Sequence, residues 1–138
     1  MSDLRGSLRV RAVAVVAAGV TVAAGLGVRA LAGGQFAKYA GDALYTVLVY
    51  ALVVLVAPRV RPARAAAVAA ALSWAVEFFQ ITGVPDDLGR RSTLARLVLG
   101  STFNPPDLFW YLVGAASAYA VHRVLRPREA TAPRSHGI

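Results

Sequence analysis

The chain has 138 residues, of which 57% are apolar and 16% charged, with a mean hydropathy of +0.56. A water-soluble domain of that composition would lack the polar surface to cover itself, so the composition indicates a membrane protein. The length holds about four spans of roughly 20 residues with short loops and nothing sizeable outside them. The lack of cysteine excludes disulfide frameworks, thiolate zinc sites, iron–sulfur clusters and cysteine nucleophiles. The net charge of +8 sits in short clusters between apolar runs, not in one stripe with interleaved aromatics, which argues against nucleic acid as a partner.

In chain order, Arg5, Arg9 and Arg11 precede an uncharged run from Ala12 to Val28, which reads as the first span. Ala30, Leu31 and Ala32 place an A-x-A pattern after it, as a cleaved secretory signal would, but the run is longer than a signal's apolar region and an uncleaved span is the preferred reading. Gly33 and Gly34 mark a loop. The second span, about residues 40–57, carries Asp42 near its start and stops at Pro58. Arg59, Arg61 and Arg64 make the next loop basic, and Pro62 suits the first turn of a third span over about 63–84, with Glu77 inside it and Gly83 and Pro85 at its end.

Residues 86–96 are the most polar interior stretch, and 94–103 mix basic, apolar and small residues as a short interfacial or re-entrant helix would. Asn104, Pro105, Pro106 and Asp107 then form a helix start, with a capping side chain, first-turn prolines and an acid at the positive dipole end. The fourth span covers about 106–123, and residues 127–138 read as a disordered basic tail. The expected fold is therefore all-α, one transmembrane domain over residues 1–126. Ten basic residues fall on the side of the termini and the second loop, against Arg29, Lys38, Arg90, Arg91 and Arg96 on the other. By the positive-inside rule both termini are expected to be cytoplasmic.

That topology gives each intramembrane acid a depth. Asp42 lies in the first turn of a span entering from outside, Glu77 about 10 Å below the outer end of its helix, and Asp107 at the outer start of the last span. A carboxylate at mid-helix costs about 2.5 to 3.5 kcal/mol to insert, so it faces the bundle interior, finds a partner or binds a proton. Asp42, Glu77, Gln80, Arg91 and Asp107 are thus expected to line one outward-facing polar pocket, with Lys38, Arg90 and Arg96 as head-group or ion-pair candidates. Glu77 shares a face with Ser73, Trp74, Gln80 and Ile81, offering a carboxylate and an amide to one neighbour, and the alternative is that Glu77 simply pairs with a third-loop arginine. Asp42 shares a face with Tyr45 and Thr46.

Weaker signals are small-residue faces at Gly19, Ala23 and Gly27 and at Gly114 and Ala118, which suit close packing or a homo-oligomer. Phe103, Phe109, Trp110 and Tyr111 suit an interfacial aromatic belt, and His122 an interfacial position. No H-x-x-E-H, G-x-S-x-G or Walker pattern occurs, so no catalytic residue, metal or cofactor is assigned.

The polar helix ends resemble the domain-of-unknown-function 2809 family (DUF2809), a group of bacterial integral membrane proteins that is similar, more distantly, to the VanZ-like proteins. The resemblance runs from about Phe36 to Val121. It rests on Lys38, Tyr39, Gly41 and Asp42, on Glu77, Phe78 and Gln80, on Arg91, Thr93 and Leu94, and on Leu99, Gly100, Phe103 and Asp107 in that order. It implies a small four-helix protein of the bacterial cytoplasmic membrane, and the VanZ-like comparison implies a link to the cell envelope.

The leading expectation is a non-enzymatic protein whose outer pocket binds an amphiphile, such as an envelope lipid or lipid-linked ligand, or steadies a membrane partner. The rival is a membrane-embedded enzyme acting on an envelope lipid, with Glu77 as general acid or base and Arg91 on phosphate charge. A proton-coupled carrier needs a path across the bilayer, and in the inner half of the second and third spans Tyr50 is the only polar group.

Overall fold

The structure, a computed structural model, describes residues 2–99 and 105–125. The expected tail at 127–138, and Phe103 and Asn104, lie outside the described residues. The elements are α1 (Ser2–Leu31), α2 (Gly34–Val56), α3 (Pro62–Phe79), a 3-10 turn (Gln80–Thr82), α4 (Val84–Arg91), α5 (Thr93–Leu99) and α6 (Pro105–Leu125), with no strand among the described residues. Four stretches are long and apolar enough to cross a membrane: Leu4–Leu31, Gly34–Val56, Pro62–Thr82 and Pro105–Leu125. The fold is thus an all-α, multi-pass membrane protein. The polar stretch before the last span forms two short helices, α4 and α5.

Local sequence sets the helix boundaries. Gly34 at φ 66° makes the tight turn between α1 and α2, a left-handed conformation glycine adopts without steric cost. Helix α2 ends ahead of Pro58, and α3 begins with Pro62 in its first turn after an extended Arg61. Gly83, at φ 82°, reverses the chain after the 3-10 turn. Helix α4 carries Asp86 and Asp87 in its first turn and Arg90 and Arg91 in its last, matching the helix dipole at both ends. Ser92 Oγ accepts from Ala95 N at 3.2 Å and caps α5. A methyl group on Gly89 would sit 3.3 Å from Arg96 Cβ, so that glycine lets α4 and α5 approach closely.

Helix α2 packs against α1, α3 and α6, and α3 packs against α6, whereas α1 rests chiefly on α2. On α3, Ala65, Ala69, Ser73 and Glu77 recur every four residues and are all fully buried. Small side chains on that stripe bring α3 close to its neighbours, as at other helix contacts within lipid. Gly114 does the same for α6, where a Cβ would run into the Ala43 carbonyl of α2. The Gly19 and Gly27 positions of α1 have nothing within 4 Å of an added Cβ. Among the described residues, therefore, the two glycines of the small-residue face expected on the first span are not sites of close approach. At the end of the bundle holding the chain's N-terminus, Ala14, Tyr50, Val54, Ala65 and Ala69 form an apolar core cluster, and Arg11 Nε donates to the Leu55 carbonyl at 3.1 Å.

Candidate functional site

At the opposite end, the start of α2, the end of α3 and the start of α6 bring acids from three helices to one region. Glu77 is fully enclosed, and its Oε1 accepts a hydrogen bond from Tyr111 OH at 2.8 Å. Asp107, 3% exposed, takes the Lys38 ammonium at 3.2 Å. The Asp42 carboxyl adjoins that of Asp107 and lies within electrostatic range of Lys38 and Glu77. Among the described residues, no three acidic or histidine side chains are placed to share a metal ion.

The surroundings are rigid and aromatic. Tyr39 stacks on Trp110 with ring centroids 5.5 Å apart, and Tyr45 lies 6.1 Å from Tyr111. Trp74 Nε1 donates to the Leu108 carbonyl at 3.1 Å, tying α3 to α6. One turn deeper, Thr46 Oγ1 donates to Ser73 Oγ at 2.9 Å, both side chains fully buried. Gln80 Nε2 donates to the Leu99 carbonyl at 2.6 Å, which fixes the end of α5 over the end of α3. Two buried acceptors have no hydrogen-bond partner among the described residues: Asp42 Oδ2 and Gln80 Oε1. A buried acceptor left without a donor costs about 1 to 3 kcal/mol.

The structure brings together Lys38, Asp42, Glu77 and Asp107, with Gln80 one turn from Glu77. It does not bring Arg91 to them. Arg91 is exposed and pairs with Asp87 at 3.7 Å, while Arg90 faces Asp86 at 3.8 Å and Asp87 at 3.6 Å. The short reach from the end of α4 back to its own first turn satisfies these arginines locally, and among the described residues Glu77 takes the Tyr111 hydroxyl. Arg96 is likewise exposed. The described bonds of Glu77 and Gln80 go to different neighbours, Tyr111 and Leu99.

Its position near three other aromatics places Tyr111 in an expected aromatic belt. It is 5% exposed and turned into the bundle, whereas Phe109 is exposed. The signal that identifies it is its spacing of four from Asp107, which puts both on one helix face. His122 is also more than an interfacial residue: its Nδ1 lies 2.6 Å from Tyr50 OH, with the rings edge to face, and Tyr50 OH is 3.3 Å from the Pro62 carbonyl. Two surface concavities lie away from the acids, one lined by Ala57, Arg59, Val60, Arg61 and Arg64, another by Ala120, Val121, Val124 and Leu125.

Chemically, the acidic end gathers carboxyl and amide oxygens inside an apolar bundle, two of them, Asp42 Oδ2 and Gln80 Oε1, without a donor among the described residues. Glu77 has no exposed surface, so a reactant cannot touch it without a change of packing, which disfavours it as a general base.

Four apolar helices with an acidic centre inside one end define a small multi-pass integral membrane protein. Residues 32–115, more than half of the chain, match the model of a family described as a protein of unknown function (DUF2809), and the chain belongs to that family. Comparison with curated proteins and with solved structures returns no match.

Proposed function

We propose that this protein binds the head group of an amphiphile, an envelope lipid or lipid-linked molecule, at the acidic end of the α2–α3–α6 unit, on the outer side of a bacterial cytoplasmic membrane. The observation that carries this reading is the pair of buried acceptors without donors among the described residues, Asp42 Oδ2 and Gln80 Oε1. A head group with hydroxyl or amino donors would satisfy both, while the exposed Arg90, Arg91 and Arg96 of α4 and α5, which follow the end of α3, would be available to a lipid phosphate. The orientation, with both termini cytoplasmic, follows from the excess of arginine at the opposite end.

Native mass spectrometry of the protein released from its own membrane tests the reading. Wild type is expected to retain a defined lipid that Asp42→Asn and Gln80→Leu lose at matched folding, with Arg91→Ala holding it more weakly. Identical adducts on all four proteins would overturn it.

A further inference from the structure

The polar groups of the bundle do not stop at the acidic end. On α2, Asp42, Thr46 and Tyr50 recur every four residues; on α3, Ser73 lies one turn from Glu77; on α6, Tyr111 lies one turn from Asp107, and His122 stands near the far end. All these side chains meet along the seam of α2, α3 and α6. Thr46, Ser73 and Glu77 are fully enclosed, and Tyr50, Tyr111 and Asp107 are each at most 5% exposed. Three hydrogen-bonded pairs step along the seam: Tyr111 with Glu77 at 2.8 Å, Thr46 with Ser73 at 2.9 Å, and Tyr50 with His122 at 2.6 Å.

From Lys38 to Tyr50 the seam covers about 18 Å along α2, more than half of a roughly 30 Å hydrocarbon core. Packing alone does not require this. Interhelical hydrogen bonds within membranes average only about 0.6 kcal/mol, so hydroxyl pairs are weak adhesives, and an ionisable group at each end of such a row is a costly way to hold helices together. A row with carboxyls at one end and an imidazole at the other is suited to carrying a proton.

We propose that the α2–α3–α6 seam is a proton path running from the Asp42, Glu77 and Asp107 carboxyls through Thr46 and Ser73 to Tyr50 and His122. Successive pairs stand one helical turn apart, about 6 Å along the axis, which one transient water closes with two hydrogen bonds of about 2.8 Å. Each transfer breaks one O–H or N–H bond and forms another, so every hydroxyl gives up a proton as it accepts one and returns to neutral. The His122 and Tyr50 contact has two proton arrangements. Tyr50 donates to Nδ1, or Nδ1 donates to Tyr50 while Tyr50 turns its proton to the Pro62 carbonyl. No redox step or co-reactant is needed, and the membrane potential drives the charge.

The ionisable groups facing the path are Lys38, Asp42, Tyr45, Glu77, Asp107 and Tyr111 at one end and Tyr50 and His122 at the other. Arg123 stands beside the latter end, donating to Tyr119 OH at 2.7 Å. Ala65 and Ala69 of α3 belong to the same buried cluster as Tyr50.

The test uses the full chain in liposomes containing a pH-sensitive dye, with a potassium gradient and valinomycin imposing an inside-negative potential. Wild type is expected to acidify the lumen several-fold faster than protein-free vesicles. The Thr46→Val and Ser73→Ala double variant should lower the protein-dependent rate, after the protein-free leak is subtracted, about tenfold, equivalent to about 1.4 kcal/mol of barrier, while Thr46→Ser keeps it. Tyr50→Phe, a near-isosteric change at the other end, should also lose flux, which keeps the test valid if the hydroxyl double variant folds poorly. A wild-type rate equal to that of empty vesicles, or flux unchanged in both Tyr50→Phe and the double variant, would overturn the proposal. Lipid retention is read separately by mass, so failure here leaves the binding reading to its own test.

Discussion

Helix α1 and the α2–α3–α6 unit are both apolar, yet they handle polar groups in opposite ways. The buried hydroxyl of α1, Thr21, donates to its own backbone at Ala17 O, 2.6 Å away, and asks nothing of a neighbour. In the three-helix unit the buried polar side chains bond across helices, Thr46 to Ser73, Tyr111 to Glu77 and Tyr50 to His122. The residues matched by the family, 32–115, begin where α1 ends and stop within α6. A span can be needed for insertion while the chemistry resides in the other three.

The sharpest way to break the comparison is to add one methyl group on each side of it. Gly114→Ala drives a Cβ into the Ala43 backbone and is expected to cost about 1 to 3 kcal/mol of overpacking, or to abolish recovery of folded protein. Gly19→Ala meets open space and should stay within about 0.5 kcal/mol of wild type. Thermal unfolding in detergent measures both. Next in size is Tyr111→Phe, which removes one donor from the enclosed Glu77 carboxyl at a cost of about 2 kcal/mol. Lys38→Met removes a partner of Asp107, but the Lys38 side chain is 45% exposed, so about 1 kcal/mol is expected, diminishing in high salt. The smallest effect belongs to Arg91→Ala, whose surface pair with Asp87 is worth less than about 0.5 kcal/mol, although the lipid readout should still respond.

Much of this is legible in the amino-acid sequence. Apolar runs punctuated by Gly33, Pro58, Pro62 and Gly83 mark the helices, because backbone groups in lipid must be satisfied within the helix and only such residues stop it. The grouping of Asp42, Glu77 and Asp107 at one end follows from topology alone. What stayed hidden is partner choice. Asp86 and Asp87, one turn from Arg90 and Arg91, compete for those arginines more cheaply than a buried glutamate does, and Lys38 reaches α6 rather than its own helix. The link between Tyr50 and His122 crosses 72 positions of sequence and depends on the packing angle of α2 against α6. Single-helix periodicity places each residue on the inner face but does not say which residues meet there.

The claim on which the rest depends is that Glu77 and Tyr111 are joined inside the α2–α3–α6 unit. A double-mutant cycle with Glu77→Met and Tyr111→Phe, read by thermal unfolding in detergent, measures that link directly. Coupling of about 1 to 2 kcal/mol is expected, with Tyr111→Phe costly in the wild-type background and nearly neutral beside Met at position 77. Additive effects, within about 0.3 to 0.5 kcal/mol, would show that the two side chains do not interact and would contradict the acidic centre described for this fold.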